Sequence, residues 1–500
     1  MTKWRSLLLA MVVLAACGSA AVTDGRLTPV TPVTPTDTTA TVVPESQSRV
    51  VVDASGQLGP VMRLERATTH STSSPLPGEP TRSYMQSLNH DVVRTWIQTR
   101  YVYNNGKTDY NYKYDLSDVG AEDALRFYAT TAKSVLVALS AYNPTSQWAM
   151  PQGDSMTTFL TRTLVYYKKK YPNVRYIQVG NEPDANDETM DTYYPIYRSY
   201  YRAVNAANAE LGLTGADRLL ISNGPITSNL TGMLAYANPF FAAFAADKDP
   251  AKKLDYFSFH SYGDIATPIT LATARQRIDD AMKTYGLAPV PSFVSEYGIF
   301  GGSTLPTGFT LDELITMQPA AQFTKAFYLY QGGVSQVFDW AIFHSTLPMK
   351  SQLVDVASAV RYPYGNGLLL AKEVSDRETR IAATSNAIDV NGLGTHVLAS
   401  SKDGKGIAVL VWNFNWRNST VATPFAVHVK NIARSAVGPG RVRMSVYIID
   451  SKTNNYNTNK SQTSLQVTST GLYAYAPAMS VTLPLEKQAV ALVTIMPETP

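Results

Sequence analysis

The feature that most constrains the fold is a regular alternation of short apolar stretches with amphipathic stretches through the middle of the chain. The apolar stretches are typical of buried strands, and each is followed by a segment with helical periodicity. Strands of this kind that alternate with helices indicate a parallel sheet covered on both faces. The predicted strands lie at 61–66, 92–96, 134–140, 174–180, 218–223, 254–260, 290–296 and 334–340.

Eight strand–helix units over about 300 residues predict a closed (β/α)8 barrel, the TIM-barrel form of the α/β class. The alternative is an open, doubly wound sheet. That fold carries a glycine-rich, phosphate-binding turn after its first strand, and no such turn follows 61–66. The barrel is therefore the better interpretation.

The periodicity changes on both sides of the predicted barrel. After about Arg377, strand-like runs alternate with clusters of Gly, Asn, Ser and Thr, which predicts a C-terminal antiparallel β-sandwich. An isolated strand at 49–53 precedes the barrel, and we expect it to join the sandwich. The resulting division assigns 48–58 to this strand, 59–376 to the barrel and 377–500 to the sandwich.

The first 17 residues have the pattern of an export signal. Lys3 and Arg5 form a positive start, and 7–14 is an apolar run too short to span a membrane permanently. The run ends in Leu-Ala-Ala-Cys-Gly, which resembles the bacterial lipobox, so that Cys17 would carry a lipid. The alternative is an ordinary secretory signal that contains a cysteine. The lipobox predicts an exported lipoprotein, anchored to a membrane of the cell envelope.

The segment 18–47 is rich in Thr, Pro and Val and lacks apolar periodicity, which is typical of an extended tether. Cys17 is the only cysteine of the chain, so we expect no disulfide in the mature protein. Its stability must then come from its apolar core.

Composition limits the classes of ligand. The formal net charge is +4, and loss of Lys3 and Arg5 with the signal would leave +2. No basic run or stripe is present, so we expect no nucleic-acid partner. The charged fraction is 16% and there are 30 tyrosines, which suits a protein that handles neutral, polyhydroxylated ligands. A tyrosine-rich exported surface would give the same composition.

Two predicted strands end in glutamates. Strand 174–180 is followed by Asn181, Glu182 and Pro183, and strand 290–296 ends in Glu296. The carboxyl ends of the strands form the active-site face of a parallel barrel. Pro183 is expected to hold Glu182 in an extended conformation. Two glutamates at this face point to a two-carboxylate mechanism.

Other polar and aromatic side chains are predicted at the same face: Arg94, Trp96, Asn181, His260, Tyr262, Asp339 and Trp340. The sequence has no cluster with metal-ligand spacing and no serine in a nucleophile elbow. We therefore expect neither a metal nor another cofactor.

Four segments together resemble the glycoside hydrolases of clan A. They are Asn-Glu-Pro at 181–183, Ser-Glu-Tyr-Gly at 295–298, Val-Val-Val-Asp-Ala-Ser-Gly at 50–56, and Val-Arg at 93–94. With the C-terminal sandwich, the chain looks most like family 39, which contains β-xylosidases, α-L-iduronidases and bacterial exopolysaccharide glycosidases. The likeness extends over about residues 49–500 in architecture.

The resemblance implies roles for single residues. Glu182 would be the general acid/base and Glu296 the nucleophile of a retaining hydrolysis. Arg94 would keep Glu296 ionised. Asn181 would donate a hydrogen bond to the 2-hydroxyl of the sugar.

The remaining candidates have less specific roles. Tyr262 or Tyr297 could donate a hydrogen bond to Glu296, and Trp340 offers an apolar floor for a sugar ring. His260 could contact the ligand or be a hydrogen-bonded structural histidine. Arg94 could equally belong to a salt bridge in the core, and Trp340 to core packing. Asp339 is expected to be structural.

Aromatic residues in loops are candidate subsite residues. They include the Tyr- and Asn-rich loop 101–114, Tyr142, Trp148 and His70. In the sandwich, Trp412, Phe414 and Trp416 alternate along one strand and so share a face. A core or domain-interface role is favoured for these three residues over a carbohydrate platform.

The sequence thus predicts a retaining glycosidase that acts on an extracellular or cell-envelope oligo- or polysaccharide. The alternatives are a glycan-binding lipoprotein that has lost turnover and a transglycosylase. The sugar, the linkage, the choice between chain ends and internal bonds, and the oligomeric state stay open.

Overall fold

The structure is a computed structural model that describes residues 43–498 apart from several short segments. Those segments are 73–74, 105–106, 115–117, 141–150, 152, 187, 228–229, 231, 302–304, 343–352, 356 and 418. The predicted signal with Cys17, the tether as far as residue 42, Tyr142 and Trp148 lie outside the described residues.

The described chain alternates strands and helices up to about residue 376 and then consists mainly of strands. The strands are β1 (Val50–Pro60), β2 (Ala67–Thr69), β3 (His90–Ile97), β4 (Tyr103–Asn104), β5 (Lys107–Thr108), β6 (Ala132–Leu139), β7 (Val174–Val179), β8 (Leu220–Ser222), β9 (Phe257–Tyr262), β10 (Ser292–Gly298), β11 (Gln336–Trp340), β12 (Thr379–Ser385), β13 (Gly394–Lys402), β14 (Gly406–Phe414), β15 (Ser419–Lys430), β16 (Val442–Ile449), β17 (Ser469–Tyr473), β18 (Met479–Lys487) and β19 (Val490–Pro497). The α-helices are α1 (Thr81–Leu88), α2 (Thr99–Val102), α3 (Ala121–Ala129), α4 (Gly153–Lys170), α5 (Met190–Glu210), α6 (Met233–Ala246), α7 (Ala274–Thr284), α8 (Leu311–Gln331), α9 (Pro363–Ser375) and α10 (Arg434–Val437). Three short 3-10 helices lie at Glu45–Gln47, Gly215–Asp217 and Pro268–Thr273.

Eight parallel strands form the barrel, in the order β8-β7-β6-β3-β2-β11-β10-β9. The two end strands meet beyond β8, where Ile226 bridges to Phe259 of β9 in parallel register. The side chain of Asn223 completes the closure because it exchanges two 2.9 Å hydrogen bonds with the backbone of Ser258. The predicted fold class, a (β/α)8 barrel with a β-sandwich, is confirmed.

The first barrel strand differs from the sequence-based prediction. The strand predicted at 61–66 is wrong: β2 begins at Ala67, and 61–66 runs into a turn. Arg63 and Arg66 each lie 2.6 Å from a different oxygen of Asp91. These ion pairs, together with that of Arg63 with Glu65 at 2.9 Å, stabilise the turn at the barrel floor. Apolar residues such as Val61 and Leu64 gave this segment the appearance of a strand.

The remaining strands form a nine-stranded sheet in the order β17-β16-β19-β14-β13-β12-β1-β15-β18. Strand β1 pairs antiparallel with β12 and parallel with β15. The sheet folds over itself, because side chains from both of its halves share one apolar core. This core contains Val409 and Val411 of β14 together with Val427 and Val429 of β15.

The opposite face of β14 packs on the barrel. Its residues Trp412 and Phe414 belong to the same buried cluster as helices α8 and α9. The Trp412 indole Nε1 donates to Thr324 of α8 at 2.9 Å, and its ring stacks on His396. The prediction of an interface role is confirmed for Trp412 and Phe414, and Trp416 packs against the same cluster while partly buried.

Among the residues that the structure describes, no helix combines the length and apolar character that crossing a membrane requires.

Candidate active site

The carboxyl ends of the barrel strands bring most of the predicted site residues together. Arg94 lies in β3, Asn181 and Glu182 follow β7 within a few residues, and Glu296 lies in β10. His260 and Tyr262 belong to β9, and Trp340 ends β11. Parallel strands deliver all these side chains to one rim of the barrel.

Glu296 is held at the centre of this group by two hydrogen bonds. Its side chain is 7% exposed. Oε1 accepts from Arg94 Nη1 at 2.5 Å, and Oε2 accepts from the Tyr262 hydroxyl at 2.8 Å. Burial acts to raise the pKa of Glu296, but the charges of His260 and Arg94 and the hydrogen bonds from Tyr262 and Arg94 outweigh it. The pKa of Glu296 therefore lies below its ordinary value, and the carboxylate stays ionised.

Arg94 is itself oriented by a polar network inside the barrel. Its Nε donates to Gln178 at 2.8 Å, and Gln178 donates to Ser258 at 2.9 Å. The Ser258 hydroxyl lies 3.0 Å from that of Ser222. This network was missed in the sequence, although Gln178 is two residues beyond the inward-facing Tyr176 of β7. The sequence signal that could have revealed this network is a polar residue, Gln178, at an inward-facing position of a buried strand.

Glu182 lies opposite Glu296, with His260 between them. His260 is fully buried, and its Nδ1 lies 2.7 Å from Glu182 Oε1 and 3.6 Å from Glu296 Oε2. One oxygen of each glutamate and one nitrogen of His260 all lie within 4.8 Å of one another. The Glu182 side chain is 27% exposed, so that it is the more accessible carboxylate.

The same three donor atoms are close enough for a metal ion to bridge them. However, both oxygens of Glu296 already accept hydrogen bonds, and one donor is the buried guanidinium of Arg94. A cation here would lie next to that positive charge, in an environment with little water to screen it. The arrangement therefore favours two glutamates that are each hydrogen-bonded to neighbouring side chains, and it disfavours a metal site.

The backbone at Glu182 is left-handed, with φ at 50°. The expectation that Pro183 holds Glu182 extended is wrong. Glu182 N donates to Pro225 O at 2.9 Å, which ties the turn to the segment after β8. Such a conformation is costly for a residue with a side chain, so the surrounding packing must enforce it.

Gly224 makes this packing possible. A Cβ at Gly224 would lie 2.5 Å from the carbonyl oxygen of Val179, 3.1 Å from the Tyr193 hydroxyl and 3.2 Å from Pro183 Cδ. The Tyr193 hydroxyl donates to Val179 O at 2.9 Å and accepts from Gly224 N at 2.5 Å. The absence of a side chain at Gly224 thus allows the segment after β8 to approach the turn that carries Glu182.

We expect Gly224→Ala to displace this turn and lower activity. A misplacement of about 1 Å can cost about 10²-fold in rate. The measurement is kcat/KM on an aryl glycoside, the substrate class that the sequence resemblance implies, with folding checked by circular dichroism. Gly78→Ala is the matched control, because a Cβ there meets nothing within 4 Å. Wild-type kcat/KM in a folded Gly224→Ala variant would contradict this role.

Of the two tyrosines considered as donors to Glu296, Tyr262 makes the hydrogen bond. Tyr297 is 1% exposed, and its hydroxyl pairs instead with that of Tyr364 at 3.0 Å. Consecutive strand residues point to opposite faces, so Tyr297 points away from the site when Glu296 points into it. Burial, followed by the charge of Glu296, raises the pKa of Tyr262, and its hydroxyl remains protonated to donate.

We expect Tyr262→Phe to shift the acid limb of the pH profile of kcat/KM to higher pH. Loss of the hydroxyl removes one interaction that lowers the pKa of Glu296. A hydrogen bond to a charged group contributes about 1.5–3 kcal/mol, so kcat/KM should fall about 10- to 100-fold. Tyr297→Phe, the neighbouring variant, should keep the wild-type pH profile. Identical profiles for wild type and Tyr262→Phe would show that this hydrogen bond does not set the ionisation of Glu296.

Asn181 and the two tryptophans border the carboxylates. Asn181 Oδ1 accepts from Arg94 Nη2 at 2.7 Å, so its amide nitrogen is the group that can donate to a ligand. Trp340 is half-buried, and its ring meets that of Trp96 edge to face at 6.4 Å. The Arg94 guanidinium lies 4.4 Å above the Trp96 ring. Trp96 therefore supports Arg94 and contacts Trp340.

Other sequence candidates lie away from the carboxylates. Asp339 is buried and accepts a hydrogen bond from Thr68 at 2.9 Å, and burial raises its pKa to about 7. This position fits the structural role expected for it. His70 is also buried, and its Nδ1 pairs with the Tyr128 hydroxyl at 3.0 Å, so a subsite role is not supported. In the loop after β3, Tyr112 and Tyr114 are buried against one another.

Comparisons with known proteins identify relatives by structure. No family model matches the chain, and no curated protein matches its sequence. A glucosidase from Croceicoccus marinus superposes with a TM-score of 0.68 at 15% identity, over 90% of this chain and 99% of that chain. The GH39 enzyme from Xanthomonas axonopodis pv. citri gives 0.66 at 16% identity, over 90% and 97%. A monomeric beta-xylosidase from Caulobacter crescentus CB15 gives 0.64 at 15% identity, over 90% and 99%.

These values place nearly the whole length of each relative on this chain, while the sequences have diverged widely. At such low sequence identity the likeness shows the fold, and any catalytic activity has to be argued from the residues of the site. The chain therefore has the fold of these glycosidase structures, a (β/α)8 barrel joined to a β-sandwich.

Proposed function

We propose that this protein is a retaining glycoside hydrolase in which Glu296 is the nucleophile and Glu182 the general acid/base. The observation that carries the proposal is the carboxylate pair itself, with one oxygen of each within 4.8 Å of the other. Retaining glycosidases hold their carboxyl groups about 5–5.5 Å apart, whereas inverting enzymes leave about 6.5–9.5 Å for a water molecule. The short spacing supports attack by a carboxylate.

The environments of the two glutamates support different tasks. Glu296 is buried, hydrogen-bonded to Arg94 and Tyr262, and kept ionised by a lowered pKa. It can therefore attack the anomeric carbon. Glu182 is more exposed and shares a short hydrogen bond with His260. Glu182 can therefore give its proton to the oxygen that leaves when the glycosidic bond breaks.

The second step reverses the direction of proton transfer. Glu182, deprotonated after the first step, takes a proton from water, and the water attacks the anomeric carbon of the glycosyl–enzyme ester. Glu296 leaves as a carboxylate, which its lowered pKa favours. The amide nitrogen of Asn181 would donate to the sugar 2-hydroxyl, a contact that strengthens toward the transition state.

We further infer that the substrate is an oligo- or polysaccharide outside the cytoplasm. The names of the structural relatives, a glucosidase and a beta-xylosidase, support a carbohydrate substrate. Location rests on the first 17 residues, whose lipobox-like end supports export and anchoring through Cys17. The enzyme would then act on a glycan of the cell envelope or its surroundings.

Stereochemistry tests the proposal. Hydrolysis of aryl glycosides is followed by ¹H NMR, with the anomeric configuration of the first-formed sugar recorded before mutarotation. We expect retention, because two displacements at the anomeric carbon restore its configuration. Net inversion would contradict the assigned mechanism. If no glycoside from a panel of aryl glycosides and polysaccharides is cleaved, the activity itself is refuted.

The lipid anchor is tested separately. In bacteria that express the full chain, Cys17→Ser is expected to abolish incorporation of a labelled fatty acid and to release the protein from the membrane fraction. The reason is that the thiol of Cys17 is the only one in the chain. Membrane association that survives Cys17→Ser would contradict the lipid anchor.

A further inference from the structure

Lys325 is a buried lysine behind the site, on helix α8. Lys325 is fully buried, and its side chain forms no ion pair with any of the described residues. Its ammonium group instead donates to three backbone carbonyls, those of Ser261 at 2.9 Å, Gly263 at 2.8 Å and Gly298 at 2.8 Å. Three donors thus meet three acceptors, which is the full donor capacity of an ammonium group.

The three carbonyls belong to the two strand ends that carry Tyr262 and Glu296. Ser261 and Gly263 flank Tyr262 in the chain, and Gly298 lies two residues beyond Glu296. The two ends are also joined directly, because Gly263 N donates to Ile299 O at 3.2 Å. Lys325 therefore fixes the backbone on both sides of the tyrosine that hydrogen-bonds Glu296.

A lysine is energetically unfavourable at this buried position. Transfer of an ammonium ion into a protein interior is strongly unfavourable, even after the protein relaxes around it. The neighbouring residues of α8 are buried as well, so that an apolar side chain would pack there without this cost. Burial lowers the pKa of Lys325 to about 7, and the charge of Asp264, which also follows β9, acts in the opposite direction. The hydrogen bonds of the Lys325 side chain all go to the ends of β9 and β10.

We propose that Lys325 is a positioning residue for the nucleophile, which holds the ends of β9 and β10 so that Tyr262 reaches Glu296. This inference rests on the proposed function. Without the three hydrogen bonds, the ends of the two strands can separate. The hydrogen bond from Tyr262 to Glu296 then weakens, and the carboxylate loses both its orientation and part of the stabilisation of its charge.

The test compares Lys325→Met with Lys168→Met. Lys168 is a matched control because it is also buried and its ammonium donates to backbone carbonyls, those of Pro172 at 2.5 Å and Val174 at 2.8 Å. These carbonyls lie at the start of β7, at the opposite end of the barrel. Both variants are expected to lower the melting temperature.

Only Lys325→Met should change catalysis. We expect kcat to fall about 10²-fold, as for a reacting group displaced by about 1 Å, with a smaller change in KM. The acid limb of the pH profile should move to higher pH, as in Tyr262→Phe. Lys168→Met should keep the wild-type kcat and pH profile. If Lys325→Met does not fold, Lys325→Gln is measured instead, with the same expected directions. A folded variant with the wild-type kcat and pH profile would overturn the inference.

A second measurement does not depend on glycosidase activity. Hydrogen exchange followed by mass spectrometry should show faster exchange in peptides that cover 257–266 and 292–301 in Lys325→Met, but not in Lys168→Met. Unchanged hydrogen exchange at both segments in Lys325→Met would refute the proposal that Lys325 holds the two strand ends together. If the exchange changes as expected but the wild type cleaves no glycoside, the proposed function fails, while the role of Lys325 in holding the two strand ends is supported.

Discussion

Glu296→Gln is expected to abolish glycoside hydrolysis while the protein stays folded. The amide has nearly the shape of the carboxylate but cannot form the ester with the anomeric carbon. It also lacks the charge that Arg94 stabilises at 2.5 Å. The measurement is release of the aryl group under single-turnover and steady-state conditions, and we expect neither a burst nor turnover.

A matched control separates this loss from a general effect of replacing a buried carboxylate. Glu486 of β18 is also buried and accepts a hydrogen bond from Ser451 N, at 3.1 Å, in the sandwich. Glu486→Gln should therefore retain wild-type kcat/KM even if its melting temperature falls. Equal rates for wild type and Glu296→Gln would exclude Glu296 as the nucleophile.

Glu182→Gln is expected to have an effect that depends on the leaving group. General acid catalysis contributes about 10²–10⁴-fold, and a poor leaving group needs it most. The rate at which Glu182→Gln hydrolyses natural glycosides should therefore fall by about this factor. Aryl glycosides with acidic phenols need little protonation, so their first step should be nearly unaffected while the second step, which needs a base, becomes slow.

Azide provides the diagnostic rescue for this residue. In Glu182→Ala, a small anion can enter the space left by the carboxylate and attack the glycosyl–enzyme without a general base. We expect azide to accelerate turnover of activated aryl glycosides and to give a glycosyl azide of retained configuration. If Glu182→Ala hydrolyses natural and activated substrates with the same loss, and azide has no effect, Glu182 is not the acid/base.

The sequence was sufficient to predict the barrel and its two carboxylates. Strands of continuous apolar residues reveal a parallel sheet, and a glutamate that directly follows such a strand must lie at the rim of a barrel. Glu182 and Glu296 are therefore both predicted at that rim, where the structure has them, and their catalytic roles stay predictions. Alternation along β10 would also have excluded Tyr297 as the partner of Glu296, because adjacent residues face opposite sides.

Other features depend on contacts between distant parts of the chain. The left-handed backbone of Glu182 overrides the preference of a residue before proline because Pro225 accepts its N–H and Gly224 packs against the turn. Lys325 lies in a helix that is buried on every side. Nothing in the local sequence tells which carbonyls a buried lysine will reach.

The most direct measurement is covalent trapping of the nucleophile. The wild type is incubated with a 2-deoxy-2-fluoro glycoside of the sugar it cleaves, carrying an activated leaving group, and then digested for peptide mass spectrometry. We expect one added sugar on the peptide that contains Glu296, and none in Glu296→Gln. A label on a different carboxylate, or steady turnover of the reagent with no labelled peptide, would contradict Glu296 as the residue that forms the glycosyl–enzyme.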